Sequence, residues 1–302
     1  MKNPSILWHG EMTTRRALTG RGLSFLSPGM LWLIGFLVLP SLIFIVLSFA
    51  ERGVYGEVVW NFSLENYKRL AGFSTFGWTP DYLLILGRSV IVAFVTTSVS
   101  ILLSYPLTFF IASRPERSRF MWLVIIIIPF WTNIVIRTYA WFFLFSPEFP
   151  FARIAAFFGM IPEGSSLYPS AFAVYVGMIS DYLPFLALPL YSSVERLDWS
   201  LVEAAQDLYA SKTRVFMQAI LPQTAPGLTV GIILTFVPTM ATFVVPDLLG
   251  GAKYMLVGNL IQQQFGASRD WPFGAAISMA LMLLTLLSMR IYRRKGSKVE
   301  IL

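Results

Sequence analysis

Long apolar stretches alternate with short polar ones along the whole chain. Residues 22–50, 89–113, 215–246 and 271–289 contain no Lys, Arg, Asp or Glu. A helix that crosses a bilayer core needs about 20 mainly apolar residues. Two further stretches are long enough but carry one charge each, Arg137 and Asp181. The pattern predicts an all-α polytopic membrane protein with six transmembrane helices, near 28–50, 87–112, 120–145, 171–193, 224–249 and 273–293. Residues 1–27 then form an N-terminal tail, 28–293 one six-helix membrane domain, and 294–302 a C-terminal tail. The longest polar connection, about 51–86, is too short for a domain, and Gly77, Pro80, Pro147 and Pro150 mark turns. The first twenty residues are polar and basic, so the first apolar run reads as a retained span and not as a cleaved signal.

Charge sets the orientation. An even number of spans puts both termini on one side. Fifteen of the 23 Lys and Arg residues fall on that side, seven fall on the other, and Arg137 lies within a span. The positive-inside rule therefore places both termini in the cytoplasm. The net charge of +7 does not point to nucleic acid, because the basic residues flank apolar runs and form no stripe on a polar face. The chain has no cysteine and one histidine, His9, which lies in the tail. That excludes disulfides, thiol nucleophiles and Cys-ligated metals.

One polar connection is built to fold, at about 193–223. Ser200-Leu201-Val202-Glu203 has capping-box spacing, which predicts a short helix over 201–208. Ser211 can cap a second helix through Val215, Phe216 and Ile220, with Pro222 helping to end it. Leu201, Val202, Ala205 and Leu208 would give the first helix an apolar side, and small Ala204 and Ala205 would admit a close neighbour. An interfacial helix resting on lipid headgroups is the plainer reading. The connection has only three basic residues against Glu195, Asp198, Glu203 and Asp207, which favours docking of a protein.

The segment resembles the cytoplasmic signature loop of ABC-importer permeases. There Glu-Ala-Ala, three residues, Gly, nine residues and Ile-x-Leu-Pro form the coupling helices. Glu203-Ala204-Ala205 and Leu221-Pro222 match in register, whereas Tyr209 replaces the glycine and Ala219 the usual Ile or Val. If the turn at 209 needs φ > 0, tyrosine is costly there. Pro129-Phe130-Trp131-Thr132, Ile136-Arg137-Thr138-Tyr139-Ala140-Trp141, Tyr182-Leu183-Pro184-Phe185, Pro246-Asp247-Leu248-Leu249-Gly250-Gly251 and Asp270-Trp271-Pro272-Phe273-Gly274 are similar to the spermidine/putrescine branch, and to the first of its two paired permeases.

The resemblance implies a type I ABC-importer permease in the bacterial inner membrane. It implies a second related permease, two ATP-binding subunits and an extracytoplasmic binding protein as partners. Glu203, Ala204, Ala205, Asp207, Leu208, Tyr209 and Ala210 would carry the coupling contact. ATP and its magnesium would be bound by the partner ATPase and no cofactor by this chain. Consistently, the sequence has no Gly-x-x-x-x-Gly-Lys-Ser/Thr; Gly250-Gly251-Ala252-Lys253 has the wrong spacing. It also lacks Gly-x-Ser-x-Gly and His-Glu-x-x-His, so the chain is not expected to be an enzyme.

A charge inside a bilayer needs a partner or water. Arg137 and Asp181 could form a pair that fixes helix packing, which makes Arg137 a structural ion. Alternatively Asp181 or Asp247 lies on the route of a cationic substrate, with Trp131, Tyr139, Trp141 and Tyr182 offering ring faces to amines. Six prolines, Pro106, Pro129, Pro184, Pro189, Pro238 and Pro246, mark packing kinks or hinges. Another substrate (an opine, another organic amine or ferric iron) is a rival within the same machinery. A secondary transporter is the other rival, although no internal repeat of the expected kind is present.

Overall fold

The computed structural model describes residues 5–74, 77–251 and 254–296. The first helix, α1 (Ser5–Ser48), contains the apolar span Phe25–Ser48 and extends beyond it into the polar N-terminal residues. Two short antiparallel ribbons follow, β1 (Glu51–Arg52) with β2 (Val58–Val59) and β3 (Phe73–Ser74) with β4 (Gly77–Trp78). Between them lies α2 (Glu65–Leu70). The second span is α3 (Asp81–Ala112). The third is broken: α4 (Glu116–Ile127) runs through a 3₁₀ turn, Ile128–Trp131, and then meets α5 (Ile134–Leu144) at 96°. A short α6 (Pro150–Phe157) leads to the fourth span, α7 (Ala171–Val194).

The next connection holds α8 (Trp199–Asp207) and α9 (Lys212–Val215). A π-turn, Phe216–Ile220, joins α9 to α10 (Leu221–Ala241), so 212–241 counts as one span. Then come α11 (Val244–Gly250), α12 (Val257–Phe265) and the last span, α13 (Trp271–Gly296). Among the described residues, five helices are long and apolar enough to cross a membrane, or six with the bent pair taken as one span.

Three expectations are corrected. The stretch 120–145 is not one helix. Pro129 has no N–H to donate, Thr132 is extended, and the Asn133 side chain accepts from the Val135 amide at 2.8 Å to start a new helix. The stretch 224–249 also breaks, at the extended Thr242. Pro246 then falls third in α11, where a first-turn amide has no intrahelical partner to lose. The Asn259 amide donates to the Phe243 carbonyl at 3.0 Å and meets part of the need created by that break. Finally, Pro222 does not end a helix. The π-turn just before it carries the chain through, with the Leu221 amide bonded to the Phe216 carbonyl.

The core lies where α3, α7 and α10 cross. Small residues let the backbones approach: a Cβ on Gly231 would sit 3.0 Å from the Leu186 carbonyl oxygen, and one on Gly227 would overlap the Pro189 carbonyl. Val92, Val174, Met178, Val245 and Leu249 fill one cluster beside this crossing. Opposite the chain termini, α2 clamps the span ends together. The Asn66 amide donates to the carbonyls of Ser48 at 3.0 Å and Ala50 at 2.8 Å, at the open end of α1. The Arg69 Nη1 donates to Asp270 Oδ2 at 2.7 Å, and the guanidinium lies 3.9 Å over the Phe273 ring. Asp270 Oδ1 also accepts from the Phe273 amide at 3.2 Å, capping α13. Burial pulls the Arg69 pKa down, but hydrogen bonds to Asp270 and Tyr82 outweigh it and the net shift is upward.

Candidate functional site

The connection between α7 and α10 is a folded unit. Its helix α8 starts two residues earlier than its spacing predicts, because Asp198 and not Ser200 is the cap. The Asp198 carboxylate accepts from the Ser200 amide at 3.0 Å. An ionised cap favours the positive helix end. The earlier start also puts Trp199 edge-on to Phe109 of α3, 6.4 Å between centroids. Glu203 is therefore the fifth residue of α8, reaches back to no cap and stands exposed. The Asp198 amide donates to Gln223 Oε1 at 2.9 Å, tying the connection to the start of α10. Ser211 caps α9 by accepting from the Arg214 amide at 3.4 Å, as its position predicts.

The apolar side of α8 is narrower than the sequence pattern suggests. Val202 is buried with Leu197, Val215 and Ala219, and Ala205 and Ala210 pack against them. A larger Ile or Val at Ala219 would have to fit into that cluster. Leu201 and Leu208 face outward, Leu208 being 82% exposed. With Ala204 they form a second row at helical spacing, flanked by Glu203 and Asp207. The exposed surface is thus a low, partly apolar ridge with acidic edges.

Tyr209 adopts φ +56° and is 98% exposed. Its amide donates to the Gln206 carbonyl at 2.9 Å, and the Ala210 amide to Ala205 at 3.2 Å. This is a Schellman ending, in which glycine usually holds the left-handed position. The turn keeps its geometry although tyrosine occupies it.

The second arrangement is inside the membrane, against the broken third span. Arg137 Nε lies 3.4 Å from Asp181 Oδ1, with side chains 17% and 2% exposed. The contact does not meet hydrogen-bond geometry: both Asp181 oxygens and Arg137 Nε and Nη1 are buried without a hydrogen-bond partner among the described residues. The guanidinium also lies 5.4 Å from the Phe130 ring centre, and Phe130 meets Phe185 edge-on at 4.4 Å. Tyr182 is buried beside Asp181, and Trp141 packs on the same cluster. Trp131 is 88% exposed at the bend, and Tyr139 is exposed further along α5. Asp247 is exposed in the first turn of α11 and forms no ion pair among the described residues. The structure thus brings Arg137 and Asp181 together beside Tyr182, sets Trp141 on the apolar cluster that includes Tyr182, and gives Asp247 no ion pair among the described residues.

Sequence reasoning missed the Arg69–Asp270 clamp. Its signal was present in Asp270-Trp271-Pro272, a capping residue followed by proline inside the first turn.

Comparison with known proteins gives the context. The family model described as "Binding-protein-dependent transport system inner membrane component" matches residues 104–300. The chain is 40% identical over 263 residues to the spermidine/putrescine transport system permease protein PotB of Salmonella typhimurium (strain LT2), spanning 87% of this chain and 89% of the relative. It is 39% identical over 274 residues to PotB of Escherichia coli (strain K12), spanning 89% and 97%. The crystal structure of a bacterial ABC transporter involved in the import of the acidic polysaccharide alginate aligns over 97% of this chain and 98% of that one, with a TM-score of 0.64 at 15% identity. At that identity the likeness speaks for the fold alone. The chain belongs to the inner-membrane permease components of binding-protein-dependent ABC transporters, and is a multi-pass protein of the inner membrane with the ABC-importer permease fold.

Proposed function

We propose that this chain imports polyamines, spermidine and putrescine, as one of two paired permeases of an ATP-driven importer. The observation that carries the substrate is the 40% identity to a spermidine/putrescine permease over 87% of the chain. The second permease has a surface to meet: only 6% of the apolar window in the Phe25–Ser48 span is buried by the rest of the chain. Two ATP-binding subunits hold ATP and magnesium, and one of them docks on the ridge of Glu203, Ala204, Asp207, Leu208 and Tyr209, with Ala205 and Ala210 as its inner support. A binding protein delivers substrate on the opposite face. Residues 1–27 and 294–302 are the cytoplasmic tails of the 28–293 membrane domain.

The mechanism is alternating access. Closure of the ATPase pair pushes α8, and the packed spans turn the cavity from one side to the other. Polyamines are flexible polycations, so the route needs spaced acceptors and ring faces that are individually weak. Asp181, Tyr182, Trp131, Tyr139, Trp141 and Asp247 offer these.

The test is uptake of labelled spermidine and putrescine by cells with the gene deleted, then restored as wild type or Glu203→Lys. Loss on deletion, rescue by wild type and failure of the variant support both substrate and coupling contact. Unchanged uptake in a deletion strain without other polyamine transporters overturns the polyamine reading and directs the search to another organic amine, an opine or ferric iron. Normal uptake by Glu203→Lys removes that residue from the coupling contact.

A further inference from the structure

Among the described residues there are two Arg–Asp pairs, of opposite quality. Arg69–Asp270 is short at 2.7 Å and hydrogen-bonded, and its carboxylate has a second donor in the Phe273 amide. Arg137–Asp181 is longer at 3.4 Å, and neither Asp181 oxygen accepts a hydrogen bond among the described residues. A pair kept for packing should resemble the first. A buried carboxylate with open acceptor positions is costly, and each such group needs an explanation.

We propose that Arg137–Asp181 is a displaceable charge latch: an ammonium group of the substrate takes Asp181 from Arg137 during passage. The inference rests on the polyamine reading above. Three features of the site support exchange. Asp181 is nearly fully buried and Arg137, the more exposed partner, covers it. Arg137 has a second contact that would remain when Asp181 is taken, since its guanidinium already lies near the Phe130 face. The pair also links the sharply bent third span to α7. Arg137 follows the Thr132–Asn133 break on α5, while Asp181 and Phe185 belong to the continuous α7. A change of angle at that break would alter the Arg137–Asp181 separation directly, so the latch opens when the spans tilt. The Asp181 carboxylate stays paired throughout the exchange, because an incoming ammonium replaces the guanidinium there, while the displaced guanidinium keeps its charge and its contact with the Phe130 ring.

The experiment uses the assembled transporter with its ATPase and binding protein, in cells and in membranes. Two double variants are compared with wild type: the exchange Arg137→Asp/Asp181→Arg and the apolar Arg137→Met/Asp181→Leu. Replacing a buried ion pair by apolar residues of similar size often leaves stability intact or improves it. Complex abundance on native gels is the first readout, and labelled spermidine uptake the second. A latch predicts that at least one double variant assembles at wild-type abundance while its uptake falls roughly tenfold or more. The single Asp181→Glu, which keeps the acceptor, retains more uptake than Asp181→Asn at equal abundance. Wild-type uptake by an assembled double variant overturns the latch and makes the pair a packing element. Failure of both double variants to assemble overturns it too, since the pair would then be required for folding. Absence of spermidine uptake by wild type would refute the polyamine reading itself, and is seen before any variant is made.

Discussion

Replacing Tyr209 with glycine tests the end of α8 at its least favourable residue. A non-glycine residue in the left-handed region costs about 1–2 kcal/mol. Glycine removes that cost but has more freedom to lose on ordering, which returns roughly 0.5–1 kcal/mol. The ring is 98% exposed, so its removal forfeits little packing within the chain. The net gain is about 0.5–1 kcal/mol, or roughly a two- to fivefold smaller local opening constant. Hydrogen exchange of the detergent-solubilised transporter reads this at two amides, those of Tyr209 and Ala210, which bond to Gln206 and Ala205. Both should exchange about two- to fivefold more slowly in Tyr209→Gly, with no change at amides in α7. Tyr209→Ala is the control: it removes the ring and keeps the backbone cost. Equal protection in the alanine and glycine variants would refute the reasoning, because the ring and not the dihedral would then be the burden.

Glu203→Lys should leave the protein at normal abundance in membranes while separating ATP hydrolysis from uptake, read as ATPase rate beside transport in vesicles. Asp270→Asn keeps the shape of the cap but loses the charge opposite Arg69. It should cost about 1–2 kcal/mol, discounted for the partly exposed arginine, and lower the melting temperature of the purified transporter by a few degrees. Gly227→Val places methyl groups against the Pro189 carbonyl and Ser193, and should reduce assembled protein by destabilising the α7–α10 crossing by about 1–3 kcal/mol, read as abundance on native gels. Asn133→Ala removes the acceptor for the Val135 amide and should loosen the start of α5 by about 1 kcal/mol, seen as faster exchange there.

The spans could be read from the sequence because bilayer thickness imposes a length on any apolar run. The break at Thr132–Asn133 could not, since two polar residues are as acceptable inside a packed span as at a helix start. Pro129 hinted at it, but Pro106, Pro184 and Pro189 sit in helices that continue through them. Ser200 and Asp198 both suit a cap, and the tertiary contacts of Trp199 with Phe109 and of the Asp198 amide with Gln223 favour the earlier one. The resemblance to the signature loop raised a left-handed turn at Tyr209 only as a condition, and the dihedral itself comes from the fold. Arg137 and Asp181 were each conspicuous as charges, but their separation and missing hydrogen bonds belong to the tertiary fold. The Arg69–Asp270 contact joins residues 201 positions apart, beyond the reach of any local periodicity.

The backbone-to-backbone crossing at Gly227 and Gly231 has a mechanical consequence. Helices that touch through carbonyls and bare α-carbons have no long side chains between them to yield, so α7 and α10 behave as a stiff strut. The α8 ridge is anchored to both, through Leu197 at the end of α7 and Gln223 at the start of α10. A load applied to that ridge cannot be absorbed by spreading the strut. It must be released where the structure is compliant, at the interruptions around Thr132 and Thr242 on the far part of the same bundle. The stroke would then be delivered next to Arg137 and Asp181, remote from the point of loading, with the stiff crossing acting as the fulcrum between them.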